Sequence, residues 1–167
     1  MTVLWLAGSS GTGKSTTAKI LGDRLNMPVV DNISRSSPHK MGTIEHQQYI
    51  SKAVFKLNQQ DNIISTRSPF DVLSYTVAFK VPNLAMDSLH SFIFASGNPT
   101  VIYFPFGFPA KIEDDSFRPT SPVLNEQVDS EIKKQLNYYK VEYYEVKKES
   151  ANARANSIIQ YLGDNNG

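Results

Sequence analysis

The chain has no cysteine among its 167 residues, which excludes disulfides, thiolate catalysis and cysteine–zinc sites. An excess of one charge sign is also missing: 17 Lys+Arg stand against 16 Asp+Glu, a formal net charge of +1. No global field draws it to nucleic acid or to a membrane surface, although a local basic patch stays open. Long apolar runs are lacking too. The N-terminal run is only "VLWLA", with no basic stretch before it, too short for a secretion signal or a membrane span. The expected setting is the cytoplasm, with no membrane partner. His39, His46 and His90 show no metal-ligand spacing, so zinc is not expected. There is no internal repeat and no dividing linker, and the length suits a single domain over 1–167 with a real core. Nothing in the sequence fixes an oligomeric state.

What is present is an alternation of short apolar runs with longer stretches of helical spacing, the pattern of an α/β protein with a parallel sheet. Strands are expected at about 2–7, in "MPVVD", "NIIST" and "PTVIYFP", and in "EYYEV". Between the second and third strands, "NISRSSPHKMG" reads as a loop. The helix after it has Ile44, Tyr49, Ile50, Val54 and Leu57 at helical spacing behind Thr43 as N-cap. "RSPFDVLSYTVAF" turns from strand to helix with Pro69 in the first turn. "AMDSLHSFIFAS" and "ANARANSIIQYL" read as further helices, and a long one runs from about Pro122 to Tyr139. The final "GDNNG" reads as a frayed tail. Residues 105–121, rich in proline and mixed charge, suit a lid-like loop.

Between the first strand and the first helix stands "GSSGTGKS", residues 8–15. Gly8, Gly13, Lys14 and Ser15 satisfy the Walker A spacing GxxxxGK(S/T). At average composition this arises by chance in about one chain of this length in two hundred. Its place between strand and helix is the one the chemistry requires. Glycines let the backbone N–H groups of Gly8, Ser9, Ser10, Gly11, Thr12, Gly13, Lys14, Ser15 and Thr16 converge on phosphate. Lys14 reaches the β- and γ-phosphates, and the Ser15 hydroxyl is the Mg²⁺ ligand. The loop therefore predicts ATP and Mg²⁺ as cofactors. There is no NKxD-like guanine motif, no arginine-finger module and no second domain for a motor to move. A short chain with a lid-like loop after the fourth strand fits a small kinase.

Two further stretches carry a resemblance. "TRSPFDVLSY" resembles the D/E-R-S segment of deoxynucleoside kinases, and is similar to the D-x-x-x-x-D-x-x-x-Y segment of nicotinamide-riboside-kinase-type P-loop ATPases. "DDSFRPTSPVLNEQVDSEIKKQL" resembles the D-G-x-R lid of the second group, and "VVDNISR" its acid-then-arginine region. The resemblance implies a three-layer P-loop NTPase fold, with a five-stranded parallel sheet in the order 2-3-1-4-5 and right-handed crossovers. It also implies a kinase of the nucleoside/nucleotide type. ATP would be the donor and a nucleoside-like or nucleotide-like small molecule the acceptor.

On that resemblance Lys14, Asp31, Arg67 and Arg118 are the expected catalytic residues, and Asp31, Arg35, Arg67 and Asp71 the acceptor-binding ones. Asp31 ends a strand where such sheets bind ligands, and would take the acceptor's proton or hold the acceptor. Arg118 is the lid cation that would bridge donor and transferring phosphates, with Lys111 a second. Asp114 and Asp115 read as solvated acids. Asp71 has an alternative use as a helix cap, and Tyr75 as a core residue. Lys147 to Asn152, after the fifth strand, is the expected purine-facing segment. One departure stands out. The third strand ends Ser65-Thr66-Arg67, with no carboxylate where such kinases often keep a metal-associated acid. Either Ser15, phosphates and waters hold the metal, or Asp31 or Asp71 assists. Two competing functions remain open. One is a kinase acting on nucleic acid, at a 5′-hydroxyl or a hydroxymethylated base. The other is a nucleotide-binding regulatory module without transfer.

Overall fold

In the computed structural model, β1 (Val3–Ala7) is buried along its whole length. That burial explains why it reads as a continuous apolar run instead of alternating. The structure describes residues 3–82, 86–95, 99–107 and 121–165, the side chain of Phe94 apart. Lys111, Asp114, Asp115 and Arg118, and with them most of the expected lid, lie outside the described residues.

β1 is the centre of a parallel sheet with β2 (Val29–Val30), β3 (Ile63–Ser65), β4 (Thr100–Tyr103) and β5 (Tyr143–Glu145), in the order β2-β3-β1-β4-β5. This is the order expected from the sequence. Alternate residues of β1 feed two cores, as strand geometry requires. Val3, Trp5 and Ala7 pack with α2 (Ile44–Leu57), α3 (Pro69–Phe79), α4 (Met86–Ala95) and α5 (Pro122–Tyr138). Leu4 and Leu6 face the other way, onto α1 (Lys14–Leu25) and α6 (Ala151–Asn165). Both leucines have no exposed surface, so truncating either to alanine would cost about 2–5 kcal/mol.

Helix starts follow their local chemistry. Thr43 caps α2 by accepting from His46 N–H at 3.3 Å, and Pro69 opens α3. Ser121 caps α5 by accepting from Leu124 N–H at 3.3 Å. Two details differ from expectation. The loop after β2 contains a 3₁₀ turn, Ser34–Ser36, and the C-terminal tail is helical as far as Asn165. Buried Leu162 anchors that last stretch, and Asn165 Nδ2 donates to the Tyr161 carbonyl at 2.8 Å. Among the described residues no helix is long and apolar enough to cross a membrane.

Strand register brings the C-terminal ends of the strands to within two residues of one another. Ala7 pairs with Tyr103, Trp5 with Ser65, and Ser65 with Val30. The segments that leave these strands therefore emerge side by side, at the edge where open parallel sheets bind ligands.

Candidate active site

The phosphate loop leaves β1 and closes on α1 through glycines whose conformations no other residue would adopt cheaply. Gly11 and Gly13 have φ of 75° and 87°. A Cβ on Gly8 would stand 2.6 Å from the Phe104 carbonyl oxygen, and one on Gly13 would stand 2.3 Å from Arg154 Nη1. The first turn of α1 holds no acidic residue and its N-cap makes no side-chain hydrogen bond. The start of such a helix favours an anion. Lys14 Nζ folds over the loop and donates to the Gly8 and Ser9 carbonyls at 2.6 and 2.7 Å. Thr12 Oγ1 donates to the Ser9 carbonyl at 3.0 Å.

Facing the loop are the ends of β2 and β3. Asp31 follows Val30, and its Oδ1 accepts from Ser15 Oγ at 3.1 Å and from Thr66 Oγ1 at 2.5 Å. A carboxylate that follows β2 thus stands beside both Ser15 and Thr66, the residue after β3. Arg67 Nη2 donates to Ser34 Oγ at 3.3 Å, and the guanidinium lies over the Tyr75 ring, 5.2 Å from its centroid. A cleft of about 130 Å³ opens between the two walls, lined by the loop from Ser10 to Thr16 and, opposite, by Asp31, Ser34, Arg35, Thr66 and Arg67. A second cavity lies between α2 and α3, bordered by His46, Gln47, Tyr75 and Phe79, and it shares Ser34 and Arg67 with the first. At about 10 Å³ it has room for about one water, so of these two it is the first that admits a phosphate.

Of the residues expected from sequence, Ser10 to Thr16, Asp31, Arg35 and Arg67 share this cleft. Gly8 and Ser9 lie behind it as carbonyl acceptors for Lys14. Asp71 is placed differently from the acceptor-binding expectation. It has no exposed surface, and its two oxygens are spent on backbone: Oδ1 on Gly8 N–H at 2.8 Å, Oδ2 on Ser68 N–H at 2.7 Å. Ser68 Oγ accepts in return from Asp71 N–H at 3.1 Å, a closed capping box. Burial raises the Asp71 pKa, while Lys14, Arg67 and the two N–H groups pull against the rise. This residue holds the root of the loop rather than a substrate.

Arg154, not singled out in the sequence, reaches from α6 to the Thr12 carbonyl at 3.2 Å and fills the space beside Gly13. Its signal was an arginine on the helix stripe that otherwise buries Ala155, Ile158 and Leu162. It also places the start of α6 against the loop. Burial lowers its pKa, with Glu149 opposing. His46, too, is buried, and its pKa is lowered chiefly by burial, with Arg67 and His39 adding to the shift and the His39 carbonyl opposing. Its Nδ1 lies 3.2 Å from that carbonyl. Ser37 Oγ lies 3.0 Å from the same nitrogen.

The donor set suits Mg²⁺. Ser15 Oγ and the Asp31 carboxylate are adjacent hard oxygens, and no group of three or more His, Cys, Asp or Glu among the described residues offers a softer or fuller cage. Mg²⁺ is commonly held by one or two protein oxygens together with phosphates and waters.

Neither a protein-family model nor a curated protein matches the chain. Solved structures match in shape. A deoxyadenosine kinase from M. mycoides, bound to dCMP and dCDP, superposes with a TM-score of 0.72 at 16% identity, over 97% of this chain and 98% of that one. NadR in complex with NR gives 0.73 at 15% identity, over 96% of this chain and 51% of NadR. A shikimate kinase from Acinetobacter baumannii, bound to shikimate, gives 0.67 at 14% identity, over 99% and 94% of the two chains. The shared property is the fold: a five-stranded parallel sheet in the order β2-β3-β1-β4-β5 flanked by helices, as in these P-loop kinases.

Proposed function

We propose that the protein is an ATP-dependent kinase that transfers the γ-phosphoryl group to a hydroxyl or phosphate of a nucleoside-like or nucleotide-like small molecule. One observation carries the reading. A phosphate loop and a second wall bearing Asp31, Arg35 and Arg67 enclose a single cleft, so donor and acceptor groups have facing places. The fold's neighbours include proteins crystallised with deoxynucleotides and with NR, which supports the acceptor class.

In this reading Lys14 and the loop N–H groups from Gly11 onward bind the β- and γ-phosphates, since Gly8 N–H and Ser10 N–H are held by Asp71 and Tyr75, and Arg67 and Arg35 hold the acceptor beside them. Ser15 Oγ and Asp31 would hold Mg²⁺. The ion, when bound, neutralises charge on the phosphate oxygens. The acceptor oxygen bonds to the γ-phosphorus as the bond to the ADP oxygen breaks. A hydroxyl acceptor's proton leaves to Asp31 or to water. Little covalent help is needed, so positioning and charge carry the rate. Arg118 is assigned to the leaving phosphates, and Lys147 to Asn152 to the purine, by the resemblance alone. The start of α6 beside Thr12 agrees with the second assignment.

A nucleotide-binding module without transfer draws its support from the missing acid at the end of β3. Asp31, 3.1 Å from Ser15 Oγ, answers that objection. The test is ATP consumption against nucleosides, nucleoside monophosphates, nicotinamide riboside and 5′-hydroxyl oligonucleotides. Stoichiometric phosphorylation of one small molecule is expected. Activity with the oligonucleotide alone, or tight ATP binding with no acceptor used, would contradict the reading.

A further inference from the structure

Tyr75 sits where the two walls and α5 meet. Its hydroxyl lies 2.9 Å from Ser10 N and 2.9 Å from Ser10 Oγ, on the phosphate loop. The same oxygen is 3.4 Å from Asn125 Oδ1, on α5, and its ring lies beneath the Arg67 guanidinium. A phenol has one proton to give and two lone pairs to offer. Ser10 N–H donates to the phenol oxygen, the Ser10 hydroxyl pairs with it in either direction, and Asn125 Oδ1 is the acceptor on the α5 side. The tyrosine is buried, at 4% exposure, and burial raises its pKa, which keeps the proton on the oxygen. A core tyrosine chosen for bulk alone has no need to satisfy three polar groups at once.

We propose that Tyr75 is a positioning residue that sets the phosphate loop and the acceptor-side arginine in register through a single side chain. Ser10 lines the cleft and its N–H and side chain both end on this hydroxyl, so the loop's middle is fixed from α3. Arg67 would reach the acceptor from a seat on the same ring. The hydroxyl therefore acts on the nucleotide and the ring on the acceptor. The proposal rests on the reading of the cleft as a nucleotide and acceptor site, and separates into two halves that different variants report.

The test compares wild type with Tyr75→Phe, Tyr75→Leu and Ser10→Ala. The measurements are affinity for a non-hydrolysable ATP analogue by calorimetry, and kcat and KM for the best acceptor found. Tyr75→Phe keeps the ring and loses the hydroxyl. Nucleotide affinity should fall about 5- to 10-fold, the scale of one lost hydrogen bond, with the acceptor KM within about twofold. Tyr75→Leu should show that loss and a further rise in acceptor KM of about 3- to 10-fold, the scale of a lost cation–π contact. Ser10→Ala removes part of the contact from the other side, and should lower nucleotide affinity in the same direction by less. In a Tyr75→Phe/Ser10→Ala cycle the two losses should be less than additive. Unchanged nucleotide affinity in a folded Tyr75→Phe, or additive losses in the cycle, would overturn the proposal. If Tyr75→Phe fails to fold, Ser10→Ala alone decides it, and unchanged affinity overturns it. A wild type that binds the analogue but phosphorylates nothing leaves the calorimetric test decisive, and the kinase reading alone falls.

Discussion

On the donor wall of the cleft, residues 8–16 are contiguous, and their contacts run over short spans: Lys14 to Gly8 and Ser9, Thr12 to Ser9. On the acceptor wall the groups that meet come from distant parts of the chain. Ser15 and Asp31 are 16 positions apart, Asp31 and Thr66 are 35, and Ser34 and Arg67 are 33. The first wall is made by local geometry, in which glycine φ angles turn the backbone and a helix end faces the anion. The second is made by strand register, which brings Val30 beside Ser65 and so Asp31 beside Thr66. A locally built wall accepts few substitutions at its own positions. A register-built wall has its chemistry shared among elements, so a group can be moved from one strand end to its neighbour.

Lys14→Ala should break the donor wall with the largest effect, a loss of transfer of about 10³-fold, while the melting temperature stays close to wild type. Full turnover in a folded variant would remove the loop from the chemistry. Arg67→Ala addresses the other wall. The acceptor kcat/KM should fall about 10²-fold, with nucleotide affinity nearly unchanged. Equal losses for both ligands would show that the walls are not separable in this way.

Gly13→Ala probes the geometry of the donor wall through stability. Its positive φ and the Arg154 guanidinium in the Cβ position predict a loss of about 1–3 kcal/mol, measured by denaturant unfolding. An unchanged midpoint would mean that the loop relaxes freely.

The smallest effect concerns pH. The folded His46 pKa lies below its ordinary value of 6.5. Between the two values the unfolded chain binds more protons, so stability rises with pH across that window. The contribution is present above 6.5 and lost as pH falls through the folded pKa. His46→Gln should flatten the dependence of the unfolding midpoint over about pH 5–7.5. An unchanged slope would assign it to other groups.

The same contrast explains what could be read from the sequence. The cap at Thr43, Pro69 at the start of α3 and the strand–loop–helix frame of the phosphate loop were legible, because each depends on neighbouring residues or on apolar period, whereas the sheet order came with the family resemblance. Asp71 was named as an acceptor-binding residue or a cap. Only the fold shows that it also carries Gly8 N–H, because that contact depends on how α3 lies against β1. The missing acid after β3 was visible as an absence. That Asp31 stands beside Ser15 depends on the pairing of β2 with β3, which no local pattern encodes. Arg154 escaped notice because a single arginine on an apolar helix stripe does not say what it reaches.

In the proposed site Asp31 supplies, from the end of β2, the carboxylate beside Ser15. The direct measurement is Mg²⁺-dependent binding of a non-hydrolysable ATP analogue, by calorimetry, to wild type, Asp31→Asn and Asp31→Asn/Thr66→Asp. The account predicts that Asp31→Asn raises the half-saturating Mg²⁺ concentration about tenfold. Moving the carboxylate across to position 66 should restore it to within a few-fold of wild type. Unchanged Mg²⁺ dependence in Asp31→Asn, with turnover lower by about 10²-fold, would contradict the metal role and leave Asp31 only as the base that takes the acceptor's proton.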